Sequence, residues 1–311
     1  MKKTPLLFLA FIITGASLRA GAPSLLLPPI IYAAPGVEMN IFFNNLLCTP
    51  RGKTFLYKVN CKKGRHYTER WAFTPEPADS GDLPLSLEVR DLDDRIVAKG
   101  NTVIKIAPAN AGDGQSIRFL GIGDSLTHSG VYTSELRKLF ATLGNSRFTL
   151  VGTHHPNADE PDNVHEGYGG WKFIDFLEKY EPNPEPGSYS KRSSPFVFLE
   201  NGKPKLNFNR YVKESLGGTS PDFIFVFLGT NDIFEATDET RTSTVNSVLA
   251  NAERLIHHLK SAAPNAKIGL SGPIPASTQD AFAENYGSAY DAWTYRKSQH
   301  MLDGKLMEKF S

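Results

Sequence analysis

The chain has 311 residues, of which 40% are apolar and 11% aromatic, so it can bury a large core, and its length favours two folded units. Its 34 lysines and arginines nearly balance 33 aspartates and glutamates, leaving a formal net charge of +1. This balance argues against nucleic acid or an anionic membrane surface as the partner, and we expect a small or neutral partner instead.

Residues 1–22 have the pattern of a secretory signal peptide. Lys2 and Lys3 form a short basic region, the segment from Leu6 to Leu18 is apolar, and Ala20-Gly21-Ala22 provides a small-residue cleavage site. The apolar run is shorter than the ~20 residues that a membrane-spanning helix needs. The sequence therefore predicts a secreted or periplasmic protein without a membrane span.

Residues 23–108 have the pattern of a small all-β unit, which we predict to be a β-sandwich. Leu85, Leu87 and Val89 alternate with polar residues, as in a half-buried strand. The acidic segment 91–94 lies where a hairpin turn is needed between two such runs, so its carboxylates are interpreted as turn residues rather than calcium ligands.

The two cysteines, Cys48 and Cys61, both fall in this all-β unit. An oxidising compartment would permit a disulfide between them, whereas two buried thiols are the alternative. The spacing does not choose between these structures, because a disulfide requires the two Cβ atoms to face each other.

Residues 109–115 form a short linker of small and turn-forming residues, and a different pattern follows in residues 116–311. There, helical stretches alternate with apolar runs, which are Ile117–Ile122, Phe148–Val151, Phe223–Leu228 and Ile268–Leu270. This alternation predicts an α/β domain with a parallel sheet covered on both faces.

Three further segments of this second unit have distinct patterns. Apolar residues recur at helical spacing between Val245 and Leu259, which predicts an amphipathic helix. The segment from Tyr290 to Phe310 predicts a second helix, with Leu302, Leu306 and Phe310 on one side. Residues 181–204 are rich in Pro, Ser and Gly, and we predict an inserted surface loop.

Three motifs lie at the ends of predicted strands. Gly123-Asp124-Ser125-Leu126 places a serine on a strand-to-helix turn, at the edge where such sheets bind ligands. The segment from His165 to Trp171 contains clustered glycines, which let a backbone N–H point at a ligand. Gly229-Thr230-Asn231-Asp232 places a side-chain amide at a third strand end. Each motif alone also fits a helix cap or a turn.

In this order, the three motifs resemble those of the SGNH (GDSL-like) serine hydrolase family, and the resemblance covers about residues 116–310. It implies a flavodoxin-like α/β fold, no cofactor or metal, and Ser125 as the nucleophile. It also implies that the backbone N–H of Gly170 and the side-chain amide of Asn231 bind the oxyanion together with the Ser125 N–H. The implied substrate is a small-molecule or carbohydrate ester, and export favours an O-acetyl ester of a carbohydrate.

The sequence departs from the family at the general base, a histidine in an Asp-x-x-His block after the last strand. No such block follows Asn231. We therefore expect the last strand, this loop and the closing helix to be missing, which would leave the segment 268–270 as an unpaired sheet edge.

The histidines that are present do not replace this block. Asp162-Asn163-Val164-His165 precedes the glycine motif, so we do not interpret it as the catalytic dyad. His128 follows Ser125 within one helical turn and is predicted to be a surface residue, because a base on the same helix would reach the hydroxyl proton poorly. We predict solvated or capping roles for the others, which are His154, His155, His257, His258 and His300.

Three hypotheses follow. The chain is a C-terminally incomplete serine esterase, with poor activity because loss of the histidine lowers kcat by about 10⁴- to 10⁶-fold. Alternatively, it is a non-catalytic exported protein that binds a glycan or a protein partner. In the third hypothesis, a partner chain supplies the histidine and the missing strand. The sequence leaves the oligomeric state open.

Overall fold

The computed structural model describes residues 25–49, 54–142, 144–185, 187–188, 190–275, 279–287 and 290–311. The predicted signal peptide lies outside these residues. None of the described helices is both long enough and apolar enough to cross a membrane.

Two β-sheets make up the first part of the described chain. Its elements are β1 (Ile30–Ala33), β2 (Met39–Phe42), α1 (Phe43–Leu46), β3 (Leu56–Asn60), β4 (Arg65–His66), β5 (Arg70–Phe73), β6 (Gly81–Arg90) and β7 (Ile96–Ile106). One sheet has the strand order β1-β7-β6-β3 and the other has the order β2-β5-β4. Alternate residues of β6 join Trp71 and Phe73 of β5 in one hydrophobic core.

The hairpin between β6 and β7 confirms the interpretation of the acidic segment as a turn. The Asp91 carboxylate accepts hydrogen bonds from the backbone N–H groups of Asp93 (3.0 Å) and Arg95 (2.9 Å). In the same unit, Cys48 and Cys61 are free thiols and both are half-buried, so the structure shows neither the disulfide nor two fully buried thiols.

An α/β unit follows. Its strands are β8 (Ser116–Gly123), β9 (Arg147–Val151), β10 (Glu166–Gly167), β11 (Val197–Glu200), β12 (Lys203–Leu206), β13 (Phe223–Phe227) and β14 (Lys267–Ser271). Its helices are α2 (Ser125–His128), α3 (Val131–Phe140), α4 (Phe173–Glu178), α5 (Phe208–Ser215), α6 (Thr230–Ile233), α7 (Arg241–Ala262), α8 (Gln279–Tyr286) and α9 (Ala292–Phe310).

The main sheet of this unit is entirely parallel, which confirms the four strands expected from the apolar runs. The central strand β8 pairs with β13 on one side and with β9 and β10 on the other, and β14 pairs with β13. Within the described residues β14 has no second neighbour, and a groove of about 540 Å³ runs between it and α9. Helix α7 buries the predicted apolar stripe against the sheet.

One local prediction needs correction. Part of the segment 181–204 is ordered as the antiparallel hairpin β11–β12, preceded by the fully buried Phe196. The ring of Phe196 packs edge-on against Phe208 (5.1 Å) and Tyr211 (4.9 Å) of α5, so it belongs to the core rather than to a surface loop. The predicted helix is present as α9, on which Leu302 and Leu306 are buried and Phe310 is 37% exposed.

Candidate active site

The three motifs meet at the carboxyl edge of the parallel sheet. Gly123, at the end of β8, is in register with Gly167 of β10 on one side and with Phe227 of β13 on the other. The chain continues from these strand ends into the segments that carry Ser125, Gly170 and Asn231. The register therefore brings the three predicted residues to neighbouring strand ends, as the sequence predicts.

Ser125 is the first residue of α2 and is exposed at this edge. Asp124, which is 1% exposed, caps the helix because its Oδ1 accepts the Leu126 N–H at 3.0 Å. Thr127, two residues after Ser125, is fully buried. The buried neighbours hold the turn rigidly while the serine hydroxyl, which has no hydrogen-bond partner among the described residues, faces solvent.

Gly170 lies on a tight turn that buried aromatic residues hold in place. The Tyr168 N–H donates to the Gly123 carbonyl at 2.9 Å, and the Trp171 N–H donates back to the Tyr168 carbonyl at 3.2 Å. Gly170 has a φ of +78°, the left-handed region in which glycine is favoured, and a Cβ there would meet nothing within 4 Å. Its backbone therefore borders open space beside the serine turn.

Asn231 bridges the other two motifs. Its Nδ2 donates to the Trp171 carbonyl at 3.0 Å and lies 3.5 Å from Oδ2 of Asp124. The Asn231 amide is thus held between Trp171, which follows Gly170, and Asp124, which precedes Ser125. This arrangement can present hydrogen-bond donors to a negative charge that develops on a substrate oxygen.

Two carboxyl groups lie beside these donors, the buried Asp124 and the half-buried Asp232. Burial raises the pKa of Asp124 to about 6, although the hydrogen bond from Leu126 N–H favours the charged form. Burial raises the pKa of Asp232 to about 7, against the opposing effect of the Phe173 N–H, which the Asp232 carboxylate accepts at 3.2 and 3.3 Å. The sequence placed Asp232 in a motif as a possible cap, and the structure shows that it caps α4 from a different segment.

The histidines near Ser125 pack against one another, so the prediction of a solvated or capping role for His154 is wrong. His128 Nδ1 lies 3.0 Å from His154 Nε2, and the two rings stack at 5.2 Å. His154 is half-buried because its ring also packs against His165 and Tyr168. Burial lowers the pKa of His154 to about 3 and that of His165 to about 4.

His128 is correspondingly half-buried rather than on the surface, and its ring also hydrogen-bonds the backbone of Gly167. Asp162 is 86% exposed and pairs with Arg137, whereas His165 is fully buried. The literal Asp-x-x-His segment therefore does not form a catalytic dyad. Within the described ranges, no group of three or more His, Cys, Asp or Glu side chains could hold a metal ion.

Sequence reasoning missed Glu166 completely. Its side chain is fully buried and accepts hydrogen bonds from Thr153, Tyr168 and Tyr211. The signal available in the sequence was an acidic residue directly before the clustered glycines. An acidic side chain is buried only where polar or charged partners surround it, so its burial indicates such partners.

The chain was compared with known protein families and curated proteins. A family model described as GDSL-like lipase/acylhydrolase matches residues 120–299, more than half of the chain. No curated protein matches the sequence.

Solved structures give distant matches. An endo-fucoidan hydrolase of glycoside hydrolase family 107 is 16% identical over 29% of this chain and 14% of its own, with a TM-score of 0.22. An acetyl xylan esterase is 17% identical over 61% of this chain and 73% of its own, with a TM-score of 0.32. A carbohydrate acetylesterase from Sinorhizobium meliloti is 16% identical over 63% of this chain and 80% of its own, with a TM-score of 0.34. The chain thus spans a small part of the first of these proteins and most of the other two.

Proposed function

Because this chain belongs to the GDSL-like lipase/acylhydrolase family and is therefore a hydrolase of ester bonds, we propose that it removes O-acetyl or other acyl groups from carbohydrates, with Ser125 as the nucleophile. The observation that supports this most strongly is the bridge that Asn231 makes. One side-chain amide joins the segment after Gly170 to the segment before Ser125, so the nucleophile and the donors share one edge of the sheet.

In the proposed reaction, the Ser125 hydroxyl oxygen attacks the ester carbonyl carbon and loses its proton to a base. The backbone N–H groups of Ser125 and Gly170 and the Asn231 amide bind the oxyanion of the tetrahedral intermediate. The intermediate collapses to an acyl-serine and releases the alcohol, and water then attacks the acyl group to regenerate the serine.

The geometry of Asn231 supports its donor role. An amide nitrogen carries two hydrogens, and the Trp171 carbonyl accepts one of them at 3.0 Å. The second hydrogen has only the Asp124 carboxylate at 3.5 Å, which is too long for a strong hydrogen bond. A developing oxyanion can therefore take this second hydrogen without breaking the contact that holds the amide.

The carbohydrate part of the proposal is supported by the openness of the site. Ser125 and Gly170 are both exposed, and the space over the Gly170 Cα is free. An ester carried on a large alcohol such as a polysaccharide can approach a nucleophile at an open edge. We propose that the protein acts outside the cytoplasm, on the basis of the basic and apolar pattern in residues 1–22.

We further propose that none of the described residues of this chain serves as the general base. The Ser125 hydroxyl has no hydrogen-bond partner in the described part of the chain, the His128 and His154 rings bind each other, and His165 is fully buried. Added imidazole should then act as the base. We expect it to raise Ser125-dependent turnover more than about tenfold, since general-base catalysis contributes 10²- to 10⁴-fold. Turnover that does not respond to imidazole would show that the chain already holds its base.

Acetate release from acetylated xylan and from p-nitrophenyl acetate tests the main proposal, with and without imidazole. Ser125→Ala should abolish the release. Ser129→Ala is the matched control, because this neighbouring serine donates to the Leu126 carbonyl at 2.8 Å and should leave activity unchanged.

Within the described residues no hydrogen bond joins a base to the Ser125 hydroxyl, and this favours a second candidate function, that of an exported glycan-binding protein without catalysis. If the wild type and Ser125→Ala release acetate equally in the presence of imidazole, this second function replaces the first. Binding of the same xylan would then be measured directly by calorimetry.

A further inference from the structure

Glu166 is a buried acidic side chain that the proposed reaction does not use. It directly precedes Gly167 in β10 and is 0% exposed. Its Oε1 accepts the Thr153 N–H at 2.7 Å and the Tyr211 hydroxyl at 2.7 Å. Its Oε2 accepts the Thr153 hydroxyl at 3.1 Å and the Tyr168 hydroxyl in a short hydrogen bond.

Burying the Glu166 carboxyl group costs free energy. An apolar side chain could fill the same space without this cost. None of the ion pairs within the described residues includes Glu166, so no cation offsets the loss of hydration. Burial raises the pKa of Glu166, and the four hydrogen bonds act in the opposite direction. A group satisfied on every side in this way fixes the positions of its donors, because moving any of them breaks a buried hydrogen bond.

The donors connect the glycine turn to the rest of the domain. Tyr168 belongs to the turn, whereas Thr153 follows β9 and Tyr211 lies on α5. The backbone of Tyr168 also bonds to Gly123 at the end of the nucleophile strand and to the N–H of Trp171. The Tyr168 and Trp171 rings pack at 4.4 Å, so a side-chain contact joins the two residues that flank Gly169 and Gly170.

We propose that Glu166 is a positioning residue for the oxyanion hole, which holds the Tyr168 side chain and thereby aims the Gly170 N–H. This inference rests on the proposed function, because it takes Gly170 to be an oxyanion donor. It predicts that the carboxylate acts through Tyr168, and that Thr153 and Tyr211 serve to hold the carboxylate itself.

Tyr168→Phe and Tyr211→Phe form a matched pair that tests this role. Each removes one phenol hydroxyl from the same buried carboxylate, but only Tyr168 lies in the turn. We expect similar losses of Tm for the two variants. We expect Tyr168→Phe to lower kcat by about tenfold or more, because small displacements of an oxyanion donor have large effects on rate. Tyr211→Phe should lower kcat less than about threefold, and KM should change less than about twofold in both.

Hydrogen exchange of the Trp171 amide supplies a readout that does not depend on turnover. This amide bonds to the Tyr168 carbonyl, so it reports the order of the turn. We expect it to exchange about tenfold faster in Tyr168→Phe than in Tyr211→Phe.

The outcomes separate this inference from the proposed function. If Ser125→Ala abolishes turnover but Tyr168→Phe and Tyr211→Phe have equal kcat, the positioning role is overturned and the proposed function stands. If no turnover depends on Ser125, the proposed function fails. The exchange rates of the Trp171 amide then decide whether Glu166 positions the turn. Faster exchange in Tyr168→Phe alone supports the positioning of the turn, and equal exchange overturns it.

Discussion

Asp232 carries a carboxyl group that the fold makes costly to ionise. It lies on α6, and both of its oxygens are within 3.3 Å of the Phe173 N–H. Burial raises the pKa of Asp232 from 3.8 to about 7, and the Asp175 and Asp124 carboxylates act in the same direction. The Phe173 N–H and the Lys172 ammonium oppose this rise but do not cancel it.

The pKa rise makes stability depend on pH with a definite sign. In the unfolded chain the carboxyl group loses its proton near pH 3.8, whereas in the folded protein it loses it near pH 7. Between these values the folded state binds more protons, so stability falls as the pH rises. At about 1.4 kcal/mol per pKa unit, the rise from 3.8 to about 7 amounts to an upper value of about 4 kcal/mol.

Asp232→Asn tests this reasoning because it keeps an oxygen for the Phe173 N–H but cannot ionise. Relative to the wild type, the variant should gain stability as the pH rises from about 4 to about 8, by up to about 4 kcal/mol. Urea unfolding at several pH values measures this difference.

Asp238→Asn is the control. Hydrogen bonds from Lys297 and Arg241 lower the pKa of Asp238 to about 2, so its contribution to stability is lost only below the pH range tested. Its stability difference from the wild type should stay constant between about pH 5 and pH 8. If Asp232→Asn shows the same constant difference, burial does not raise the pKa of Asp232.

Three further predictions concern the site and its support. Asn231→Ala should lower kcat about 10²- to 10³-fold with little change in KM, measured with p-nitrophenyl acetate, because it removes an oxyanion donor. Gly167→Ala should destabilise the protein by about 2 kcal/mol or more, because the new Cβ would lie 2.6 Å from the His128 backbone nitrogen. Gly170→Ala should lower the free energy of unfolding by only about 1 kcal/mol. Its Cβ would lie in open space, so only the left-handed φ is unfavourable for alanine. Leu302→Ala should lose 2–5 kcal/mol, since this side chain is fully buried; urea unfolding measures all three losses.

Each of these predictions has an outcome that contradicts it. An unchanged kcat in Asn231→Ala would remove its amide from the oxyanion hole. Equal losses in Gly167→Ala and Gly170→Ala would show that the close approach of β10 to α2 is not what requires glycine. A loss below about 1 kcal/mol in Leu302→Ala would show that α9 contributes little to the core.

Much of the fold could be predicted because the relevant signals are local. A parallel strand buried on both faces is a continuous apolar run, and β8, β9, β13 and β14 were all recognised in this way. The stripe on α7 was equally clear, because helical spacing places its apolar residues on one face.

The predictions that failed depended on distant contacts. Phe196 lies in a Pro- and Ser-rich segment, yet the rings of α5 bury it. His154 is polar and follows a strand, which suggests solvent, but the ring of His128 covers it. Neither contact joins residues close in sequence, so neither leaves a periodic pattern.

By itself, the sequence determined which residues end each strand of the parallel sheet, and therefore that Ser125, Gly170 and Asn231 share one edge. Only the tertiary structure decided which groups hold them there. Asn231 binds a carbonyl 60 residues away, and Glu166 binds the hydroxyl of Tyr211 45 residues away. Strand ends follow from local hydrophobicity, whereas the partner of a buried polar group depends on how remote segments pack.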